Sequence, residues 1–94
     1  MNDWNFPDLP NVAVLTTRSI LEGAWVAFVS HDEEDGGWQF LDNAGMPPVP
    51  EEAKIVSLRS MVERDPSLRE LGDLLEGWQA ARDAPEAAWR RSAC

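Results

Sequence analysis

The side chains that could do chemistry are concentrated in one segment, residues 31–52. This window of 22 residues contains no Lys or Arg and seven carboxylates: Asp32, Glu33, Glu34, Asp35, Asp42, Glu51 and Glu52. It therefore holds −7 of the formal net charge of −9. Such an uneven charge density creates a local negative potential that attracts basic partners and speeds their association. The pattern predicts a docking surface, and the alternative is a solvated turn whose charges aid solubility.

The single His lies beside these acids and suggests two further chemistries. His31 and nearby carboxylates are ligands for a hard divalent ion, so a small metal-dependent enzyme is one alternative function. Ser30, His31 and Asp32 have the residue types of a nucleophilic triad. Neighbours on an extended chain point to opposite faces, however, so these three cannot form that relay among themselves. We expect His31 to be a local hydrogen-bonding group, and we expect neither a metal nor a cofactor.

Length and composition restrict the function classes further. A chain of 94 residues is one domain, and a single cysteine, Cys94, rules out an intramolecular disulfide and a multi-Cys metal site. The charge of −9 argues against binding nucleic acid or an anionic membrane. A second alternative is an acidic mimic of nucleic acid that competes for a nucleic-acid-binding protein. The N-terminal residues carry no basic or apolar run, so we expect no signal peptide and a cytoplasmic location.

A β-hairpin should present the most acidic part of this window. Residues 24–30 and 38–41 are apolar and flank an acidic turn in which Gly36 and Gly37 supply positive φ values. Both faces of the first strand are apolar, which predicts a central position in the sheet. Further strands are predicted at residues 12–15 and 53–56, and an exposed edge on either would allow a homodimer by edge pairing.

Helix caps mark the remaining elements. Thr17 should cap a single turn closed by Gly23, Ser57 should cap a helix over residues 58–64, and Asp65 with Pro66 should begin a second short helix. Residues 79–91 fit either a helix or two short strands. The predicted fold is α+β: a small antiparallel sheet of about four strands, with one or two short helices packed on one face.

The domain organisation follows from the same pass along the chain. Residues 1–11 are predicted to form an N-terminal arm, residues 12–91 a single α+β domain and residues 92–94 a C-terminal tail. Among the five tryptophans, we assign Trp25, Trp38 and Trp78 to the core. The remaining two, Trp4 and Trp89 near the ends, fit either the core, which is favoured, or exposed anchors in an interface.

Four sequence runs occur in a recognisable order: residues 14–23, DGGWQF at 35–40, DPSL at 65–68 and GWQAAR at 77–82. With these runs the chain resembles, over residues 12–90, a small bacterial domain family similar to one class of immunity proteins of polymorphic toxin systems. The resemblance implies a compact α+β domain that binds and neutralises a cognate toxin. It also favours an extended conformation at residues 79–82, and it supplies no catalytic residues.

These observations predict a non-enzymatic protein-binding domain that occludes a basic surface of its partner. The resemblance suggests that this role is immunity-like. We expect neither nucleic acid nor a membrane as the partner. The expected contacts are the four acids of the hairpin tip and two apolar residues of the loop that follows the hairpin: Asp32, Glu33, Glu34, Asp35, Met46 and Val49.

Overall fold

The computed structural model of the chain describes Trp4 and residues 6–42 and 48–93. In chain order its elements are β1 Ala13–Thr17, α1 Arg18–Leu21, β2 Phe28–His31, β3 Trp38–Leu41, β4 Ala53–Ser57, α2 Leu58–Arg64, a 3₁₀ helix Pro66–Leu71, β5 Trp78–Ala81 and β6 Arg90–Ala93. None of the helices in these ranges is both long enough and apolar enough to cross a bilayer.

The strands of the described residues form one mixed sheet of six, in the order β4-β1-β3-β2-β5-β6. The α+β class is confirmed, but the sheet is larger than the predicted antiparallel sheet of about four strands. β5 and β6 come from the segment whose sequence fitted either a helix or two strands. β1 pairs with β3 in parallel, because the chain leaves β1 through α1 and returns in β2, and β3 then fills the position between them. β2 lies between β3 and β5, which confirms its predicted central position.

The predicted caps are present: Thr17 and Ser57 each end a strand and start a helix, and Asp65 lies between α2 and the 3₁₀ helix. The Thr17 hydroxyl accepts a hydrogen bond from Ile20 N at the start of α1, and Gly23 has a φ of 126° just beyond its end. The Ser57 hydroxyl accepts from Ser60 N at the start of α2. Asp65 caps the 3₁₀ helix by accepting from Ser67 N. These backbone donors have no partner within their own helix, so the side chains fix where each helix begins.

Two predicted strand boundaries differ from the structure. β2 begins at Phe28 rather than at residue 24. Before it, the carbonyl of Val26 accepts a hydrogen bond from the side chain of Arg82, which follows β5. Ser92 and Ala93, placed in a tail by the sequence, lie in β6 and pair with Gln79 and Trp78.

The core fills the face of the sheet that the helices cover. Val14, Val29 and Phe40 project from adjacent strands onto this face, and Leu58 and Leu68 project from the helices to meet them. All five side chains are buried, and all except Val14 are 0% exposed. The apolar spacing of α2 buries Leu58, Met61 and Val62 together, as expected for one face of an amphipathic helix.

The tryptophans are distributed differently from the prediction. Trp38 is buried as expected, but Trp25 and Trp78 are 39% and 38% exposed. Trp4 and Trp89, for which exposed positions were the alternative, are partly buried against the core. The reason is tertiary: Trp89 covers Arg82, whose guanidinium carbon lies 4.2 Å from the centre of the indole ring, and Trp4 packs on Phe6.

Arg82 joins four segments at the end of the sheet opposite the hairpin tip. Its side chain is 1% exposed and pairs with Asp65 at 2.6 Å. Nε donates to Val26 O, and Nη1 donates to Ser67 Oγ and Pro85 O. A buried guanidinium is tolerated only when its charge is paired and its donors are satisfied. Arg82 therefore ties the start of the 3₁₀ helix to the end of β5.

Replacing this guanidinium should cost far more stability than replacing an exposed one. We expect Arg82→Lys to lower the free energy of unfolding by roughly 2–4 kcal/mol, because one ammonium cannot serve these separate acceptors. The control is Arg90→Lys, since Arg90 pairs with Asp83 at the surface, and there we expect a change of less than about 0.5 kcal/mol. Urea unfolding measures both; equal effects of the two substitutions would contradict the role given to Arg82.

Candidate functional site

The tip of the β2–β3 hairpin is ordered by its own backbone and carboxylates. Asp32 N donates to Gly37 O at 2.7 Å, and Gly36 N donates to Asp32 O at 3.0 Å. Asp32 Oδ1 accepts from Glu34 N, and Asp35 Oδ1 accepts from Gly37 N. Gly36 has a φ of 70°, as predicted, but Gly37 does not have a positive φ, so that part of the turn prediction was wrong. Glu33, Glu34 and Asp35 are exposed on this tip.

A second turn, residues 72–77, lies against the hairpin tip. Gly77 N donates to His31 O at 2.7 Å, and β5 then pairs with β2 from Trp78 opposite His31. The contact is close: a Cβ atom on Gly36 would lie 2.7 Å from Glu76 Oε2, and one on Gly77 would lie 3.5 Å from the Glu33 side chain. The two turns therefore form one acidic surface. We call it the acidic end; its carboxylates are Asp32, Glu33, Glu34, Asp35, Asp73 and Glu76.

Between the two turns and the N-terminal arm is an open cleft of about 840 Å³. Trp4 and Phe6 of the arm line it, together with His31 and with four carboxylates. These carboxylates are Asp8, Asp35, Asp73 and Glu76. We call this space the acidic cleft. A volume of this size is within the range of ligand-binding clefts.

The carboxylates of the cleft differ in how far they are already engaged. Asp8 Oδ1 accepts from the Trp38 indole at 2.9 Å, and Asp73 Oδ1 pairs with Arg91 at 2.9 Å. Glu76 has no hydrogen bond or ion pair with a side chain in the described part of the chain. No Lys or Arg among the described residues lines the cleft. The cleft is thus rich in acceptors and carries uncompensated negative charge.

His31 lies at the base of this cleft and confirms the prediction of a local hydrogen-bonding group. It is 4% exposed, stacks on Trp38 at 3.9 Å between ring centres, and has Nδ1 at 2.7 Å from Leu74 O. A carbonyl oxygen only accepts, so Nδ1 carries a hydrogen and donates it to Leu74 O. Nε2 has no hydrogen-bond partner in the described residues. Nε2 is also not enclosed by protein. Among the described residues, the side-chain nitrogen that is both enclosed and unpaired is Trp89 Nε1.

The predicted contact residues do not all lie together. The four tip acids do, but Val49 precedes β4, whose first residue pairs with Thr17 at the end of the sheet farthest from the hairpin tip. Val49 is 57% exposed there. Met46 lies outside the described residues. At the same far end Glu52 pairs with Arg18 at 3.5 Å, so the acidic window of the sequence is divided between two ends of the molecule.

Sequence reasoning missed Asp8, Asp73 and Glu76, which the fold brings to the tip from segments more than 20 residues away. Their spacing carries no motif. Asp73 and Glu76 could have been found from the predicted extended conformation of residues 79–82. A strand there that pairs antiparallel with β2 places the turn before it beside the hairpin tip.

A metal-dependent enzyme, the first alternative, would need a group of metal-ligating side chains. Within residues 6–42 and 48–93, and Trp4, no three His, Cys, Asp or Glu side chains are grouped so that they could hold a metal ion.

Comparison with known proteins adds no relative to this picture. A scan against models of protein families, a search of curated proteins and a search of solved structures each found no match. The resemblance to immunity proteins therefore stays a prediction drawn from the sequence.

The hydrogen bond of His31 has a directly measurable consequence. At a pH where the ring is neutral, we expect ¹⁵N NMR of the imidazole to show the tautomer with its hydrogen on Nδ1, because only that nitrogen faces Leu74 O. Observation of the hydrogen on Nε2 would contradict this geometry. The measurement needs no control variant, since the chain contains a single His.

Proposed function

We propose that this protein is a non-enzymatic binding domain that docks its acidic end onto a basic surface of a partner protein. The observation that carries the proposal is the concentration of six carboxylates on two adjoining turns, of which Asp73 alone forms an ion pair within the described chain. Unpaired charge at one end of a small domain produces a directed field, which steers a partner of opposite charge to that end.

Most basic residues of the described chain are engaged away from the acidic end, whereas Arg91 pairs with Asp73 there. Arg18 pairs with Glu52, and Arg82 and Arg90 pair with Asp65 and Asp83. Arg59 pairs with Glu63 on the outside of α2. Among the described residues, four of the ten acids outside the acidic end form an ion pair, against one of the six acids at the acidic end, so the asymmetry read from the sequence persists in three dimensions. This asymmetry favours a docking surface, because charges that serve solubility alone would not need to be concentrated at one end.

Docking of this kind would act by occlusion. The exposed carboxylates pair with Lys or Arg of the partner, and the domain then covers the basic face that the partner needs for its own activity. An immunity-like role, in which the partner is a toxin that uses a basic surface, fits this mechanism and agrees with the resemblance. The tip suits a role of this sort, because its own hydrogen bonds hold it in shape before the partner arrives, which lowers the entropic cost of binding.

The proposal is tested by capturing partners with two charge-matched variants. The tip variant carries Asp32→Asn, Glu33→Gln, Glu34→Gln and Asp35→Asn. The amides at residues 32 and 35 keep the oxygens that accept from the backbone, so the turn should hold its shape. The control variant removes four acids that are exposed and lie away from the tip: Glu22→Gln, Glu51→Gln, Glu63→Gln and Glu86→Gln.

We expect the wild type and the control variant to retain the same basic protein from a lysate of the source organism, and the tip variant to lose it. With the retained protein purified, its affinity for the tip variant should fall about tenfold or more, because four exposed charge pairs are each worth roughly 0.2–1 kcal/mol. The salt dependence of binding should also weaken. Equal binding by the two variants would contradict the proposal, and so would loss of binding by the control variant alone.

A further inference from the structure

We infer that β4 pairs with β4 of a second copy of this chain, so that two sheets join into one across a two-fold axis. This interface is separate from the acidic end, and neither proposal depends on the other. From the sequence, edge pairing was open to residues 12–15 or 53–56. In the structure β1 lies between β4 and β3, so β4 is the strand at the edge.

The first support is the direction of the backbone groups of β4. At the two ends of its ladder with β1, Leu58 N donates to Val12 O and Arg18 N donates to Glu52 O. Hydrogen-bonded positions alternate along an antiparallel pair, so the even-numbered residues of β4 bond to β1 and the odd-numbered residues direct their N–H and C=O groups outward. No other strand of the described residues covers that side of β4. Such an edge is a template for a further strand.

The outward groups of β4 are complementary to those of a second copy. When Ile55 lies opposite Ile55 of the copy in an antiparallel pair, Ala53 lies opposite Ser57. Ala53 N already donates to Val49 O, and Ser57 O already accepts from the Ser60 hydroxyl. Every outward group that remains then meets its complement: Ile55 N faces Ile55 O, and Ser57 N faces Ala53 O. Each of these hydrogen bonds occurs twice by symmetry.

The side chains of β4 favour the same register. Ile55 is 67% exposed in the middle of the strand, beside Leu15 of β1 on the face of the sheet away from the helices. In the two-fold pair the two Ile55 side chains extend this apolar row from one copy to the other, and opposed β-branched side chains stabilise a sheet. The adjacent register, with Ile55 opposite Ala53, would bring two Lys54 side chains together. Like charges directly opposite each other are destabilising.

A second copy fits β4 better than it fits the other places where the molecule could self-associate. The edge strand β6 begins with Arg90 and Arg91, and charged residues on an edge strand oppose pairing. Beside β4, Arg18 is balanced by Glu52, whereas the acidic ends of two copies would repel each other. Pairing of β4 with itself also closes as a dimer, whereas pairing of β4 with β6 would continue into a filament.

The oligomeric state of the full chain is the first test, measured by sedimentation velocity. One pair of strands buries less area than a standard interface, so we expect a weak dimer in which half of the chains are paired at roughly 100 μM. A chain that stays monomeric up to about 500 μM would overturn the inference. Species that grow beyond a dimer as the concentration rises would also overturn it.

Opposite charges at the two-fold axis test the register. Ile55→Lys and Ile55→Glu should each weaken the dimer about tenfold or more, because each places like charges opposite each other, and an equimolar mixture of the two should restore a dimer. The matched control is Leu75→Lys, since Leu75 is 66% exposed and lies outside the edge strand; it should dimerise as the wild type does. Thermal unfolding verifies that each variant is folded. A mixture that stays monomeric, or an equal loss in Leu75→Lys, would contradict the inference.

Amide hydrogen exchange of the wild type tests the same pairing without a substitution. The Ile55 and Ser57 amides should exchange about threefold more slowly at roughly 500 μM than at roughly 20 μM, because only the dimer gives them an acceptor. The Lys54 and Val56 amides should change little, since β1 supplies their acceptors in both states. Equal exchange of the Ile55 amide at the two concentrations would overturn the inference. It would leave the proposed function to the capture experiment, which depends on the tip acids alone.

Discussion

The buried pair between Arg82 and Asp65 is the constraint on which the placement of the site depends. It joins the first and last residues of the segment 65–82, which contains the 3₁₀ helix, the turn at residues 72–77 and β5. With the two ends of the segment fastened together at one end of the sheet, its turn must project to the other end. There it meets the hairpin tip through the hydrogen bond from Gly77 N to His31 O. A structural ion pair at one end thus positions the acidic surface at the other.

The two ends of the molecule use charge in opposite ways. At the far end, Arg82 has a carboxylate, three oxygen acceptors and two indole rings around it, so its charge is fully compensated within the fold. At the acidic end the carboxylates of Glu33, Glu34 and Glu76 have no internal cation in the described chain. Since like charges on adjoining turns repel one another, this arrangement costs stability in the isolated domain. A basic partner would relieve that cost on binding, which is the physical basis of the proposed function.

Local signals in the sequence predicted the elements, and tertiary pairing decided what they assemble. Thr17, Ser57 and Asp65 were identified as caps because a cap acts within three residues of itself. The parallel pairing of β1 with β3 and the six strands of the described sheet depend on contacts between distant segments, for which the sequence has no local mark. The acids of the tip were predicted from charge density alone. Asp73 and Glu76 could be added only after β5 was known to pair with β2.

The central claim is that partner contact occurs at the acidic end, and amide chemical shifts of the ¹⁵N-labelled chain test it most directly. On titration with the purified basic partner from the capture experiment, we expect the largest shifts at residues 31–37 and 72–77. The amide chemical shifts of β4 and of residues 84–87 should not change. Shifts concentrated on an edge strand, on the open face of the sheet or at the far end would contradict the account.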